Sequence, residues 1–510
     1  MNLPGVLQKS SSNKFIFLLP LLPVIFFFSH NLNRFIELIL TIEVLFLFIL
    51  YSLFSVLIFI SCNIILKRGI PFSIFLSYLL IVVFLFFGLI QDFLSQLKLV
   101  PFLSNTLFLL TSFTLVILFL SIKLKNYKKR LKTVNRFLTI LFLALICFES
   151  VMLCYKIISG KTITAITNKM TAPIRINVPG SIIEHPDIYY FIFDSYTNRP
   201  ALNKYWRYDN DIYDFLNSKG FFTVDSAFSN YKSTPYSISS VLNLQYLKGA
   251  AGYQHTNSPN FLTGLRLYKN NILYSFLKNI GYTFSNFSQL ESEKLQTGFG
   301  FLGVEKPVTW LRKQTMERVY VDPWMRNKLN RIFGGNKSER IITINNMKIF
   351  DSYNKNALKH IQSLCINYST KDNKNLPLFS FTHFMLPHNP YLIDENGNYT
   401  GISNPAGGNM DGYLGQVKYA NQLIRQITNC LLEDTARKKI IIFQGDHGYR
   451  HYADAPFEMQ FASLNALYFY NKNYTGLRKD LSNVNTFRVV INNFFDGNLP
   501  ILKDSITLSK

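Results

Sequence analysis

Charge is scarce in this sequence. Only 16% of its 510 residues are Asp, Glu, Lys or Arg, and acids are the scarcer sign, 30 against 53. Ordinary soluble domains carry about 25%. There is no internal repeat, and no low-complexity segment outside the apolar N-terminal part. The net charge of +23 would suit nucleic acid if it formed a basic patch on a soluble face, but no nucleic-acid-binding motif accompanies it. Cysteine is also sparse. Of five residues, Cys62, Cys147 and Cys154 lie in or near apolar runs, which leaves Cys365 and Cys430. An oxidising compartment would permit those two to pair, but sequence does not set their separation.

What is present in excess is apolar and aromatic. There are 47 Phe, and the apolar residues crowd into the first 157 positions. A bilayer span takes ~20 apolar residues. Five segments are expected to span: Phe15 to Ser29, Leu38 to Leu66, Phe72 to Ile90, Phe102 to Leu124 and Phe137 to Ile157. The first is short and holds Pro20 and Pro23. No small-residue cleavage site follows it, so it reads as a span rather than a signal peptide.

Basic residues set the orientation. Lys9, Lys14, Lys67, Arg68, Lys123, Lys125, Lys128, Lys129, Arg130, Lys132 and Arg136 flank the spans on one side; the alternate loops have Arg34 and Lys98. Eleven against two puts the first group in the cytoplasm, where the dense loop suits an anionic membrane surface. Five spans then place residues 158–510 outside. Glu149 in the fifth span and Glu43 in the second are acids within apolar segments. Such acids are either functional or paired with a neighbouring helix.

Three regions are expected: a transmembrane domain at 1–157, a linker at 158–184 without sustained periodicity, and a globular domain at 185–510. Strands are expected at Asp187 to Phe193, Phe221 to Ala227, Leu376 to Phe384, Lys439 to Gln444 and Asn465 to Asn471. Helices are expected at Tyr213 to Lys219, Ile238 to Leu247, Asn270 to Ile280, Asn345 to Ile366 and Tyr413 to Leu432. This alternation predicts an α/β fold with a largely parallel central sheet. The strongly apolar strands suit burial on both faces.

Sites in such sheets collect beyond the carboxyl ends of the strands. The first strand ends in Asp194. A later one runs into His383 and His388, within "THFMLPHNPY". "IIIFQGDHG" ends in Asp446 and His447. Taken alone, the last is compatible with a surface turn. Three strand ends carrying acids and imidazoles point instead to a metal site of oxygen and nitrogen ligands, suited to zinc or manganese. "SNYKSTPYSISSVLN" adds Ser233 and Thr234 before Pro235 and a helix. A hydroxyl there is either a nucleophile beside the helix dipole or an ordinary cap.

"DIYYFIFDSYT", "SNYKSTPYSISSVLN", "HFMLPHNPY" and "IIIFQGDHG" occur in an order that resembles the alkaline phosphatase and sulfatase superfamily. The membrane arrangement resembles its envelope branch of lipoteichoic acid synthases, phosphoglycerol transferases and phosphoethanolamine transferases. The resemblance implies an alkaline phosphatase-like fold with one divalent metal, Zn or Mn, held by Asp194, Thr234, Asp446 and His447. It implies Thr234 as nucleophile, in a Thr-x-x-Ser pattern with Ser237, and His388 at the substrate phosphate. His383 and His451 have looser substrate-binding counterparts. The activity implied is transfer of a phospho-head group from a phospholipid donor, through a phospho-threonine, to an envelope glycan or water. The location implied is a bacterial-type inner membrane with the catalytic domain on the outer side. Sulfatase or phosphodiester hydrolase is the alternative within the superfamily, and a non-catalytic envelope scaffold is the alternative outside it. Sulfatases make formylglycine in a Cys/Ser-x-Pro-x-Arg pattern. Here Ser237 stands at the arginine position, which favours Thr234 over Ser233. The intact hydroxyl and Asp-His set speaks against a scaffold.

A reporter fused at Lys510 should be active only when it works outside the cytoplasm. Activity confined to the cytoplasm would overturn the topology.

Overall fold

The computed structural model describes residues 18–31, 42–96, 101–124, 126–158, 170–176, 185–250, 259–288, 307–321, 352–365, 376–389, 391–398, 400, 410–450 and 456–506. Parts of several expected elements, including most of the linker, lie outside these residues, as does His451. The chain forms two units: Met1–Thr164 with Gly303–Glu339, and Ala165–Leu302 with Arg340–Lys510.

In the first unit, four helices are long and apolar enough to cross a membrane: Ile42–Leu66, Ile70–Gln96, Thr106–Leu124 and Lys128–Ile158. A shorter apolar helix, Leu21–Asn31, stands where the first span is expected. Large apolar side chains such as Phe46, Leu57, Leu115, Phe119, Phe137 and Val151 face outward. Such an exterior suits lipid and would be costly in water. Glu149 is buried and bound to the helix Leu21–Asn31. The Ser29 hydroxyl donates to its carboxylate, and His30 Nε2 lies 3.2 Å from Oε1. Lys156 Nζ donates to the Ser29 carbonyl at 2.6 Å. The buried acid thus pairs with a neighbouring helix. Residues 303–339 belong to this unit although both flanking stretches belong to the other.

The second unit is a six-stranded sheet: β1 Asp187–Phe193, β2 Phe222–Thr223, β3 Thr283–Phe287, β4 Leu378–Phe384, β5 Lys439–Gly445 and β6 Asn465–Phe469. The order is β2-β6-β5-β1-β4-β3. Strands β5, β1, β4 and β3 run parallel; β6 pairs antiparallel with β5, and β2 pairs antiparallel with β6 and so returns to the direction of the other four. The sheet is mixed but mostly parallel. β3 was not expected, and the stretch Phe221 to Ala227 supplies only the two-residue β2. Its backbone turns away at Asp225 and Ser226.

Every residue of β1, β4 and β5 is buried. Successive side chains point to opposite faces. Tyr189, Phe191, Phe193, Ile441 and Phe443 pack on one face with the helix Met410–Glu433. Ile188, Tyr190, Ile192, Ile440 and Ile442 pack on the other with Thr234–Leu242, Ile272–Asn279 and Thr486–Phe495. The polar Gln444 in β5 is satisfied: it accepts from the Tyr190 hydroxyl at 2.7 Å and donates to Thr486 Oγ1 at 2.8 Å. Helix 352–365 joins Met410–Glu433 through a Cys365–Cys430 disulfide, with Cα atoms 6.2 Å apart.

At the amino end of the sheet, Asp187 fastens β1 to its neighbours. Its carboxylate receives Arg437 Nη2 at 2.6 Å and the Leu378 amide at 2.8 Å. Because the Asp187 side chain is fully buried, Arg437→Ala leaves an uncompensated charge. The variant should lose about 3 kcal/mol in denaturant unfolding, and Asp187→Asn in the same chain should restore part of the loss.

Candidate metal centre and nucleophile

Register brings two acids together. Phe193 of β1 lies opposite Gly445 of β5, and the next residues are Asp194 and Asp446. On the other side of β1, Ile192 pairs with His383 of β4. Three strand ends thus deliver an acid, an imidazole and an acid-imidazole pair to one edge.

The turn after β5 explains why its sequence is Gly-Asp-His-Gly. A Cβ on Gly445 would lie 2.5 Å from the Tyr196 carbonyl oxygen, and one on Gly448 2.0 Å from that of Met459. No side chain fits at either position, so both glycines answer to close backbone approach. Between them, Asp446 Oδ1 accepts from the amides of Ser195 and His447, each at 2.9 Å. Ser195 adopts φ +66°, unusual for a residue with a side chain. That conformation accompanies an amide aimed at Asp446 and a hydroxyl that donates to Asp194 Oδ1 at 3.1 Å. The Tyr413 hydroxyl fixes this turn, lying 2.8 Å from the Ser195 carbonyl and 3.0 Å from the Thr197 amide.

His447 Nδ1 lies 2.8 Å from the Gly448 carbonyl. A carbonyl only accepts, so Nδ1 carries the hydrogen. Burial pushes the imidazole pKa well below its ordinary value, with Arg450 adding to the effect. The ring is therefore neutral and presents its lone pair at Nε2. That atom faces Asp446 Oδ2 at 3.3 Å, Asp194 Oδ1 at 3.7 Å and Thr234 Oγ1 at 3.4 Å.

Two buried carboxyl groups and the bare nitrogen of a neutral imidazole thus converge. Asp446 Oδ2 accepts no hydrogen bond. Burial, then the charge of Asp194, push the Asp446 pKa up to about 7. Burial also acts against ionised Asp194, but the imidazoles of His388 and His383 hold it well below the usual carboxylate range. One ligand atom each from Asp194, Asp446 and His447 lies within 4.8 Å of the others. The carboxylates, imidazole and adjacent hydroxyl form a donor set that fits a divalent cation such as zinc or manganese.

Thr234 occupies the first position of the helix Thr234–Leu242, after Ser233 as N-cap. The helix begins earlier than the expected Ile238, because Pro at the second position suits a first turn, where amide hydrogens lack intrahelical acceptors. Thr234 is buried with its hydroxyl toward His447. Half-buried Ser233 makes no side-chain capping bond. Ser237 donates its hydroxyl to the Asp446 carbonyl, tying the helix to the β5 turn.

The other expected residues are placed differently. His383 is buried with Nε2 3.3 Å from Asp194 Oδ2. His388 follows β4, half-buried, its Nδ1 against the Asn389 carbonyl, and burial lowers its pKa. Gln416 holds that loop by donating to the His388 carbonyl at 2.9 Å. Two residues escaped sequence reasoning. Ser195 carries no signal beyond its place in "FDSYT", since its left-handed backbone is set by the turn. Arg450 is visible only as a cation four residues after Asp446; its guanidinium donates to the Lys232 carbonyl, two residues before Thr234.

The sulfatase family model matches residues 194–488, more than half of the chain. The chain belongs to the sulfatase family. It is a sulfatase-like enzyme of the alkaline phosphatase superfamily. Among solved structures it is similar to the C-terminal periplasmic domain of EcEptC from Escherichia coli in complex with Zn. That likeness has 13% identity, 66% of this chain and 92% of the other covered, and a TM-score of 0.39. The corresponding domain of the phosphoethanolamine transferase EptC from Campylobacter jejuni gives 12% identity, 61% and 90% coverage, and 0.31. A putative sulfatase from Bacteroides thetaiotaomicron gives 11%, 64% and 74%, and 0.38. A comparison with curated proteins finds no match.

Asp446→Asn removes one carboxylate charge without changing shape. It should weaken zinc or manganese binding by at least about tenfold, read as metal content after dialysis. Unchanged metal content together with unchanged activity would remove Asp446 from the ligand set.

Proposed function

We propose that this enzyme moves a phosphate-linked head group, phosphoglycerol or phosphoethanolamine, from a phospholipid to an envelope glycan through a phospho-threonine at Thr234. The observation that carries the reading is a buried threonine hydroxyl, 3.4 Å from His447 Nε2, at the first turn of a helix. A bound divalent metal would make that hydroxyl more acidic and offset charge on the phosphoryl oxygens. Asp194, Asp446 and His447 would hold it, with Thr234.

In the first half-reaction the Thr234 oxygen bonds to phosphorus, and the bond from phosphorus to the diacylglycerol oxygen breaks. The proton lost by Thr234 ends on that leaving oxygen, with His388 assigned to the phosphate and to the proton's passage. In the second, an acceptor hydroxyl attacks phosphorus, the bond to Thr234 breaks, and the threonine regains a proton. Water as acceptor would make the enzyme a phosphodiester hydrolase by the same route. A sulfatase fits less well, since Ser237, where its arginine would stand, is committed to the Asp446 carbonyl.

A lipid donor agrees with the four long apolar helices. The outer side of a bacterial-type inner membrane agrees with the basic residues and with the Cys365–Cys430 disulfide, since disulfides persist in oxidising compartments.

Incubation with head-group-labelled phospholipids should leave a head-group phosphate on the Thr234 peptide, read by mass spectrometry. Thr234→Ala should lower turnover by several orders of magnitude, whereas Ser233→Ala should keep most activity. The reverse pattern would move the chemistry to Ser233 and favour a sulfatase. Indifference to both substitutions would leave a scaffold.

A further inference from the structure

The helices Pro307–Gln314 and Arg318–Val321 come from sequence that lies between two parts of the α/β unit, yet they belong to the membrane unit. Their seat is one stripe of the helix Ile70–Gln96. Phe84, Gly88 and Asp92 are four residues apart and so share one helix face. The Met316 amide donates to the Phe84 carbonyl at 2.8 Å. Arg318 Nη1 donates to the Gly88 carbonyl at 2.9 Å, and Nη2 lies 2.6 Å from Asp92 Oδ1. The segment bonds directly to the helix backbone, which requires bare backbone there. A Cβ on Gly88 would sit 2.1 Å from the Lys313 carbonyl oxygen. Small residues allow such approach between membrane-embedded elements.

The seat is also packed. Leu311 is buried in the core formed by Phe27, Tyr51, Tyr78 and Leu85, with Trp310 against it. The Thr315 hydroxyl is 3.3 Å from that of Tyr51 on the helix Ile42–Leu66. Gly88 is eight residues before Gln96, about 12 Å along the helix, so the contact reaches well past its end. Near the end of this helix the partly exposed Asp92 and the largely covered Arg318 carry opposite charges that offset one another.

We infer that residues 307–321 are a second anchor, fastening the α/β half of the chain to the membrane helices independently of the segment that follows Ile158. The inference stands whether or not the enzyme transfers a lipid head group. It makes a released, freely diffusing catalytic fragment inaccessible by linker cleavage alone. That would confine the activity to substrates at the surface of the enzyme's own bilayer.

The test introduces a protease site within residues 159–169 of the full-length protein. After cleavage in sonicated membranes, the fragment carrying the α/β unit should stay in the pellet through a high-salt wash. Gly88→Val is compatible with an apolar helix but fills the seat, and most of the cleaved fragment should then appear in the supernatant. Release from the unsubstituted chain would overturn the inference; so would retention in Gly88→Val. If that variant does not accumulate, Asp92→Asn with Arg318→Gln removes the ion pair without added volume, and the released fraction should again rise. As a separate readout, Tyr51→Cys with Thr315→Cys should form a bridge that holds the two cleaved fragments together on a non-reducing gel. Two separate bands would overturn the inference.

Discussion

Asp194 and Asp446 emerge from adjacent parallel strands in register, buried and side by side. Like charges so placed are mutually destabilising without a compensating cation. Much of the surrounding structure serves that constraint. Ser195 takes a left-handed backbone and gives its amide to Asp446. The Gly448 carbonyl sets the His447 tautomer so that a lone pair, not a hydrogen, faces the acids. Gly445 and Gly448 admit the backbone contacts that hold the turn. The site is arranged for positive charge, and a hydroxyl stands beside it.

The two layers of apolar side chains give this edge its rigidity. β1 and β5 are buried along their whole length, so their ends are held by packing on both faces of the sheet. The Asp187–Arg437 pair does the same work at the opposite end of β1. In the membrane unit a related rule applies to polar groups: Glu149 and Asp92 are each met by a partner from another segment. An unpaired acid in such surroundings is costly.

Much of this was legible in the chain. β1 was read with its observed bounds, because a continuous apolar run of that length is what a strand buried on both faces requires. The four long apolar helices announce themselves by length and composition. The edge carrying Asp194, His383, Asp446 and His447 followed from strand ends in a parallel sheet. Elements with weak patterns were harder. β3, "TFSNF", alternates poorly and is only partly buried. β2 is too short for any periodicity to register. The helix Thr234–Leu242 began early because its first turn is set by Pro235 and by the β5 turn it docks against.

By itself the sequence determined the apolar helices, the buried strands and the kinds of side chain at their ends, since these depend on local pattern and composition. Tertiary structure alone decided which atoms meet. Strand register sets Asp194 beside Asp446, and a carbonyl decides which nitrogen of His447 faces them. The return of residues 307–321 to the helix Ile70–Gln96 depends on a bare backbone at Gly88 and a distant arginine. Contacts between residues so far apart in the chain leave no period in the sequence, because they arise only when separately folded elements pack.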